Sequence, residues 1–133
     1  MVELRISSTK QEELIDITSE VNKLIKDSSV ANGLCNVFTT HSTSAVLINE
    51  NYDSNVCKDF LKAINEAIPK QSNYLHDQID NNASAHIKAA LIGPQESIPI
   101  RDKCLKLGTW QSLMFADFDG PKKRIIVISI LND

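Results

Sequence analysis

Val2, Leu4 and Ile6 alternate with Glu3, Arg5 and Ser7 at the start of the chain, the pattern of a strand with one buried face. The period then changes. Leu14, Ile17, Val21 and Leu24 fall at helical spacing, with Ile15 and Ile25 widening the stripe. This predicts a helix entered at Thr9, where Glu12 completes a capping box, and ending near Ser28 before the Asn32-Gly33 turn. "LCNVFTT" and "AVLINE" are short, β-branched or aromatic runs and read as strands. In "DSNVCKDFLKAINEAI", Val56, Phe60, Ala63, Ile64 and Ala67 share one side, predicting an amphipathic helix capped by Asp53 and stopped by Pro69. Gln71 to Asn82 is polar and aperiodic, a loop of functional length. "NASAHIKAALIG" is an Ala-rich helix stopped at Gly93-Pro94. "ESIPIRD", "CLKLG", "WQSLMFADF" and "RIIVISI" read as strands, with Asp119-Gly120-Pro121 as the last hairpin turn.

The final strand is apolar without a break from Ile125 to Ile128. Ile126, Ile128 and Ile130 share one face, and Ile125 and Val127 share the other, so both faces need cover. Helices can supply one cover; a second sheet or another subunit supplies the other. A homo-oligomer is therefore expected.

Composition narrows the classes. The chain has 133 residues, the size of one domain, and buries roughly two-thirds of its unfolded surface without needing a disulfide or structural metal. The net charge of −3 argues against a nucleic-acid binder. The one basic cluster, Lys122, Lys123 and Arg124, reads as a solvated strand entry. Cys35, Cys57 and Cys104 form no C-x-x-C pair and read as reduced thiols in apolar elements. No apolar run has signal-peptide or membrane-spanning length, so a cytoplasmic protein without membrane contact is expected.

The candidate chemistry rests on His41, His76 and His86, which share no local zinc spacing. His41 lies among Thr39, Thr40, Ser42, Thr43 and Ser44, hydroxyls that can donate to phosphate or cap backbone at a strand break. From composition the second use is favoured. His76 stands beside Asp77 and Asp80, and His86 follows Asn81 and Asn82 near a helix start, where either Asn can serve as the cap. Such a set can bind a divalent metal or move protons, or simply satisfy a loop and a helix face. No glycine-rich phosphate loop and no G-x-S-x-G is present. Trp110, after Gly108, reads as a core residue in preference to a stacking platform.

Taken together, "HSTSAVLINEN", "NASAHIKAALIGP", "SIPIRD", "LGTWQSLMF" and "DFDGPKKR" resemble the YjbQ-like family, also called UPF0047, in order over nearly the whole chain. The resemblance implies a single compact α+β domain over residues 1–133 with a large, mostly antiparallel β-sheet or sandwich and packed helices. It implies a homotrimer, and an accessory thiamine-phosphate synthase activity that joins a pyrimidine pyrophosphate to a thiazole phosphate. The alternative is a non-enzymatic trimer that binds metal or anion. Carried over by position, the site expectation is His41, His76, His86 and Glu50 for catalysis. Lys88, Arg101, Asn82 and Thr43 would hold the phosphorylated substrate, and His76, His86, His41 and Asp80 a divalent cation, Mg2+ or Zn2+. The chain departs from the family pattern at Lys103, usually Gly, at Asp117, usually Glu, and at Lys122, often Arg; the loop before Asn82 lacks a common glycine.

Overall fold

The computed structural model describes residues 1–133. Eight strands and three helices follow in the order β1 (Val2–Ser7), β2 (Glu13–Asp16), α1 (Thr18–Asp27), β3 (Gly33–Thr39), β4 (Ser44–Glu50), α2 (Ser54–Ala67), α3 (Ala83–Ile92), β5 (Gln95–Arg101), β6 (Cys104–Leu105), β7 (Gln111–Asp117) and β8 (Lys123–Asn132). A short 3-10 turn, Leu75–Gln78, interrupts the loop between α2 and α3. All strand pairs are antiparallel. They form a five-stranded sheet, β1-β8-β3-β5-β6, and a three-stranded sheet, β2-β7-β4. The fold is thus the expected α+β domain, built as a sandwich with a helical layer.

The period-two pattern explains the layering. Cys35 and Val37 of β3, Ile98 and Ile100 of β5, and Ile126 and Ile128 of β8 point inward from the large sheet. Val46, Leu113 and Phe115 meet them from the small sheet, and Ile17, Val21 and Ile25 extend the same core through α1. The opposite face of the small sheet presents Ala45, Leu47, Met114 and Ala116 to α2 and α3. Ala85 and Ala89 let α3 lie close on that sheet, while Cys57, Phe60, Leu61 and Ile64 of α2 pack beside it. Asp53 caps α2 as expected, its Oδ1 accepting from Asn55 N–H at 2.9 Å.

The predicted helix from Thr9 is shorter and starts later. Its first half is β2, which adds to the edge of β7 with Glu13 opposite Asp117 and Asp16 opposite Met114. Leu14 packs toward the helices and Ile15 toward the inter-sheet core, a two-sided arrangement that only a strand provides. The same apolar residues satisfy both periods, and pairing with β7 decides between them. No capping box forms: Thr9 Oγ1 donates to Glu13 Oε2 at 2.9 Å, and Glu12 goes elsewhere.

Trp110 is 56% exposed and meets Tyr52 edge to face, with ring centroids 5.1 Å apart. It does not enter the core because it precedes β7 in a turn, where Gln111 Oε1 accepts from Gly108 N–H at 2.9 Å. Outward-facing Ile125 and Val127 of β8 are half-buried within the single chain. The β5–β6 hairpin turns through Asp102 and Lys103, both at positive φ (52° and 62°). That is the geometry of a two-residue type I′ turn, which explains a glycine preference at the Lys103 position.

Candidate active site

The 3-10 turn and α3 bring two of the three histidines together. Asp77 Oδ1 accepts from Ala83 N–H at 2.9 Å, so the turn is fastened to the start of α3. Asn82, read as a cap, makes no capping bond; its Nδ2 donates to Asp119 Oδ2 at 3.0 Å. Ala83, His86 and Ile87 fall at i, i+3 and i+4 and share one face of α3. With Tyr74, Leu75 and His76 they line a cleft of about 420 Å³. The rings of His76 and His86 meet edge to face, centroids 4.9 Å apart. His76 Nε2 is buried without a hydrogen-bond partner, and Asp80 Oδ2 stands 3.5 Å from it. Asn82 Oδ1 is buried without a partner as well.

His41 is held separately, just beyond β3. Thr39 Oγ1 accepts from His41 N–H at 3.2 Å and lies 2.7 Å from Ser44 Oγ, which donates to His41 O at 3.1 Å. Hydroxyls here do cap backbone at a strand break. The ring itself accepts at Nε2 from Ile125 N–H at 3.0 Å, so its proton sits on Nδ1. Burial, then the charge of Arg124, depresses the His41 pKa; Lys122 adds to this and Asp117 partly opposes it. His41 joins His86 along a second cleft of about 330 Å³.

Behind His41 lies a buried ionic network. Asp117 is fully buried, and each of its oxygens takes two donors. Oδ1 accepts from Arg124 Nη2 at 2.7 Å and from Asp119 N–H at 3.0 Å; Oδ2 accepts from Ser8 Oγ at 2.6 Å and Arg124 Nε at 2.9 Å. Arg124 Nη2 also reaches Thr43 Oγ1 at 3.0 Å. Burial alone would raise the Asp117 pKa, but the bonds from Arg124, Ser8 and Asp119 and the guanidinium charge hold it below the usual carboxylate range. Asp119 is likewise lowered against its burial, by Lys122 and Asn82. Gly120 is packed so tightly here that a Cβ would meet Lys10 O at 2.2 Å.

Arg124 is therefore not part of a solvated cluster. Strand alternation placed it on the face of Ile126 and Ile128, and Asp117 on the face of Leu113 and Phe115. That alternation was the signal for the pair. The network also settles Asp117 and Thr43 as groups engaged with Arg124, whose free capacity for a ligand is small.

The remaining expected site residues do not converge on the histidines. Lys88 is 2% exposed, and its Nζ donates to Glu12 Oε2 at 2.8 Å and to Asn65 Oδ1. With its buried Nζ held by Glu12 and Asn65, Lys88 bridges the N-terminal segment and the helices and lines neither histidine cleft. Glu50 closes β4 opposite Gln111, and Arg101 is exposed beside the β5–β6 turn; neither lines a histidine cleft. Within one chain no group of three or more His, Cys, Asp or Glu side chains is arranged to hold a metal ion. No helix is long and apolar enough to cross a membrane.

Two antiparallel sheets with a helical layer on the smaller one make this an α+β protein. The sequence profile described as "UPF0047 protein YjbQ-like" matches residues 2–133, and the chain belongs to that family. A UPF0047 protein of Methanothermobacter thermautotrophicus is 42% identical over 96% of this chain and 89% of its own length. UPF0047 protein YugU of Bacillus subtilis is 34% identical over 96% of each chain. A crystal structure of an uncharacterized YjbQ/UPF0047 protein from Clostridium acetobutylicum superposes with a TM-score of 0.94 at 38% identity, covering 98% of this chain and 100% of that one. A YjbQ-like protein of unknown function from Sulfolobus solfataricus superposes at 0.95 with 34% identity, covering 99% and 96%.

Proposed function

We propose that the His76–His86 cleft is the catalytic pocket of a homotrimeric enzyme that joins two small phosphorylated molecules, of the thiamine-phosphate synthase type. The observation that carries this reading is the meeting of the two imidazoles at 4.9 Å in a cleft, with His76 Nε2 buried, without a hydrogen-bond partner and 3.5 Å from Asp80 Oδ2. A buried polar atom left unpaired costs about 1–3 kcal/mol, so it is kept where a ligand or a proton completes it. In the proposed reaction a bond forms between thiazole and pyrimidine as the carbon–oxygen bond to pyrophosphate breaks, and pyrophosphate leaves with the electron pair. His76 and His86 exchange protons, and a divalent cation, Mg2+ or Zn2+, would need ligands from substrate or a second chain besides these histidines and Asp80, since no three such side chains of one chain are arranged to hold it. When bound, that cation offsets the charge of the departing pyrophosphate. His41 adjoins His86 from the second cleft, and Asn82 anchors the loop to Asp119.

The trimer is supported by apolar exposure beside the pocket. Leu75 is 83%, Ile79 78% and Leu91 70% exposed, and all three lie on the 3-10 turn, just after it, or on α3. This is a stronger reason for association than β8, whose outer residues are half-buried already. Sedimentation at micromolar concentration is expected to give a three-chain species, and a monomer refutes the assembly.

A non-enzymatic binder remains the second reading, favoured by one observation: no Lys or Arg lines the His76–His86 cleft. Thiamine-phosphate formation from the pyrimidine pyrophosphate and thiazole phosphate, with Mg2+ present, separates the two. Product formed by the parent chain and lost in His76→Ala and His86→Ala supports the enzyme. Thermal stabilisation by substrate or metal without product supports the binder. Neither response in any form of the chain rejects both.

A further inference from the structure

A third cleft lies beside β1 and β8 of the five-stranded sheet, with His41 at the boundary between it and the second cleft, which α3 also lines. The alternation that turns Leu4 and Ile6 inward turns Arg5 and Ser7 outward on β1. Register sets Arg5 opposite Ile125 and Ser7 opposite Lys123 of β8. Arg5, Ser7, Lys123 and His41 border a cleft of about 520 Å³, with Ile6 and Ile125 among its apolar lining. No carboxylate lines it.

The charges there are unequal in kind. Arg124 is neutralised by Asp117, and Lys122 by Asp119 at 2.8 Å. Arg5 and Lys123 have neither an ion pair nor a side-chain hydrogen bond, and both are exposed. The chain carries 17 acidic against 14 basic residues, so two free cations facing one cleft without an acid is a local reversal of its overall charge. His41 adds a donor without adding charge: Nε2 is spent on Ile125 N–H, which leaves Nδ1–H to donate.

We propose that this cleft binds the phosphate or pyrophosphate group of a small molecule, held by Arg5 and Lys123 with His41 Nδ1–H and the Ser7 hydroxyl as neutral donors. Guanidinium and ammonium flanking neutral donors suit a multiply charged oxyanion better than a single carboxylate. The apolar lining gives room for a small organic group beside the anion. The site shares no residue with the His76–His86 cleft; His41 alone links it to the second cleft, where His86 also lies, and its two free cations belong to neither.

The test is a titration of the isotopically labelled full chain with inorganic phosphate and with pyrophosphate at fixed ionic strength, followed by amide NMR. Saturable shifts at Arg5, Ser7, Lys123 and Ile125 are expected, tighter for pyrophosphate. Arg5→Gln and Lys123→Gln should each weaken binding about tenfold, and the double variant should abolish saturation in the accessible range. Both side chains are exposed, so the variants keep the parent spectrum elsewhere. His76→Ala should leave this affinity within about twofold, so failure of the His76–His86 enzyme leaves this result intact. No shifts in β1 or β8, shifts that survive the double variant, or binding lost only in His76→Ala would each overturn the proposal.

Discussion

Replacing Asp117 by Asn tests the buried network behind His41. The substitution keeps shape and volume and removes one charge. Each carboxylate oxygen now takes two donors: turned toward Oδ1 the amide NH2 meets Arg124 Nη2 and Asp119 N–H, and turned toward Oδ2 it meets Arg124 Nε beside the Ser8 hydroxyl. Arg124, 5% exposed, is left without a counter-charge. At an effective dielectric of about 20, a pair with charge centres roughly 4 Å apart is worth about 4 kcal/mol. Removing one partner of a buried pair costs about 3–5 kcal/mol by mutational experience, which agrees. The expected loss of thermal stability is on the order of 10 °C at fixed protein concentration.

Urea unfolding of parent and variant at neutral pH measures the loss directly. A second arm uses acid. The native Asp117 pKa lies below the unfolded value of about 3.9, so the unfolded chain takes up the proton first. The pair's contribution is fully present above about pH 4 and fades as pH falls through the native pKa. The gap between parent and variant should therefore narrow on acidification. A neutral-pH difference within about 1 kcal/mol, the range of a solvent-exposed pair, would refute the account. So would a gap that does not change with acid.

Lys103→Gly should stabilise the chain by about 0.5–1 kcal/mol, because a left-handed lysine costs about 1–2 kcal/mol and glycine's extra entropy returns part of it; thermal melts check the sign. The Cys35 thiol, pushed up to about 11 by burial, should resist alkylation at pH 8 in the native protein and react once the chain is unfolded, as read by mass spectrometry. His41 should titrate by NMR below the usual histidine value of about 6.5, and its Nε2 should report the unprotonated, hydrogen-bond-accepting nitrogen. Since its native pKa is the lower one, its contribution to stability is present above about pH 6.5 and declines as pH falls.

Much of the fold was legible because burial on one face writes a period into the chain. β3, β7 and β8 were legible as short β-branched, aromatic or unbroken apolar runs, and the alternation in β1 and the stripe of α2 each had one physical reading. Leu14 and Ile15 did not: they suit a strand and a helix alike, and the edge of β7, about a hundred residues later, chose the strand. The site was legible only in part for the same reason. The Arg124–Asp117 pair was written in the alternation of two strands, but a run of three basic residues masked it. The His76–His86 contact depends on Asp77 holding the 3-10 turn against α3, and no local spacing records that. Lys88 looked like a free cation because Glu12, its partner, lies 76 positions away.

The place of β8 carries a consequence for how the molecule is made. Val2 pairs with Ile128 and Ile6 with Arg124, and β1 has no other neighbour in the sheet. During synthesis the first strand must wait, an open edge with half-apolar composition, until β8 has been made. The large sheet therefore closes only once β8 emerges, and until then its earliest strand is an unpaired edge open to other nascent chains.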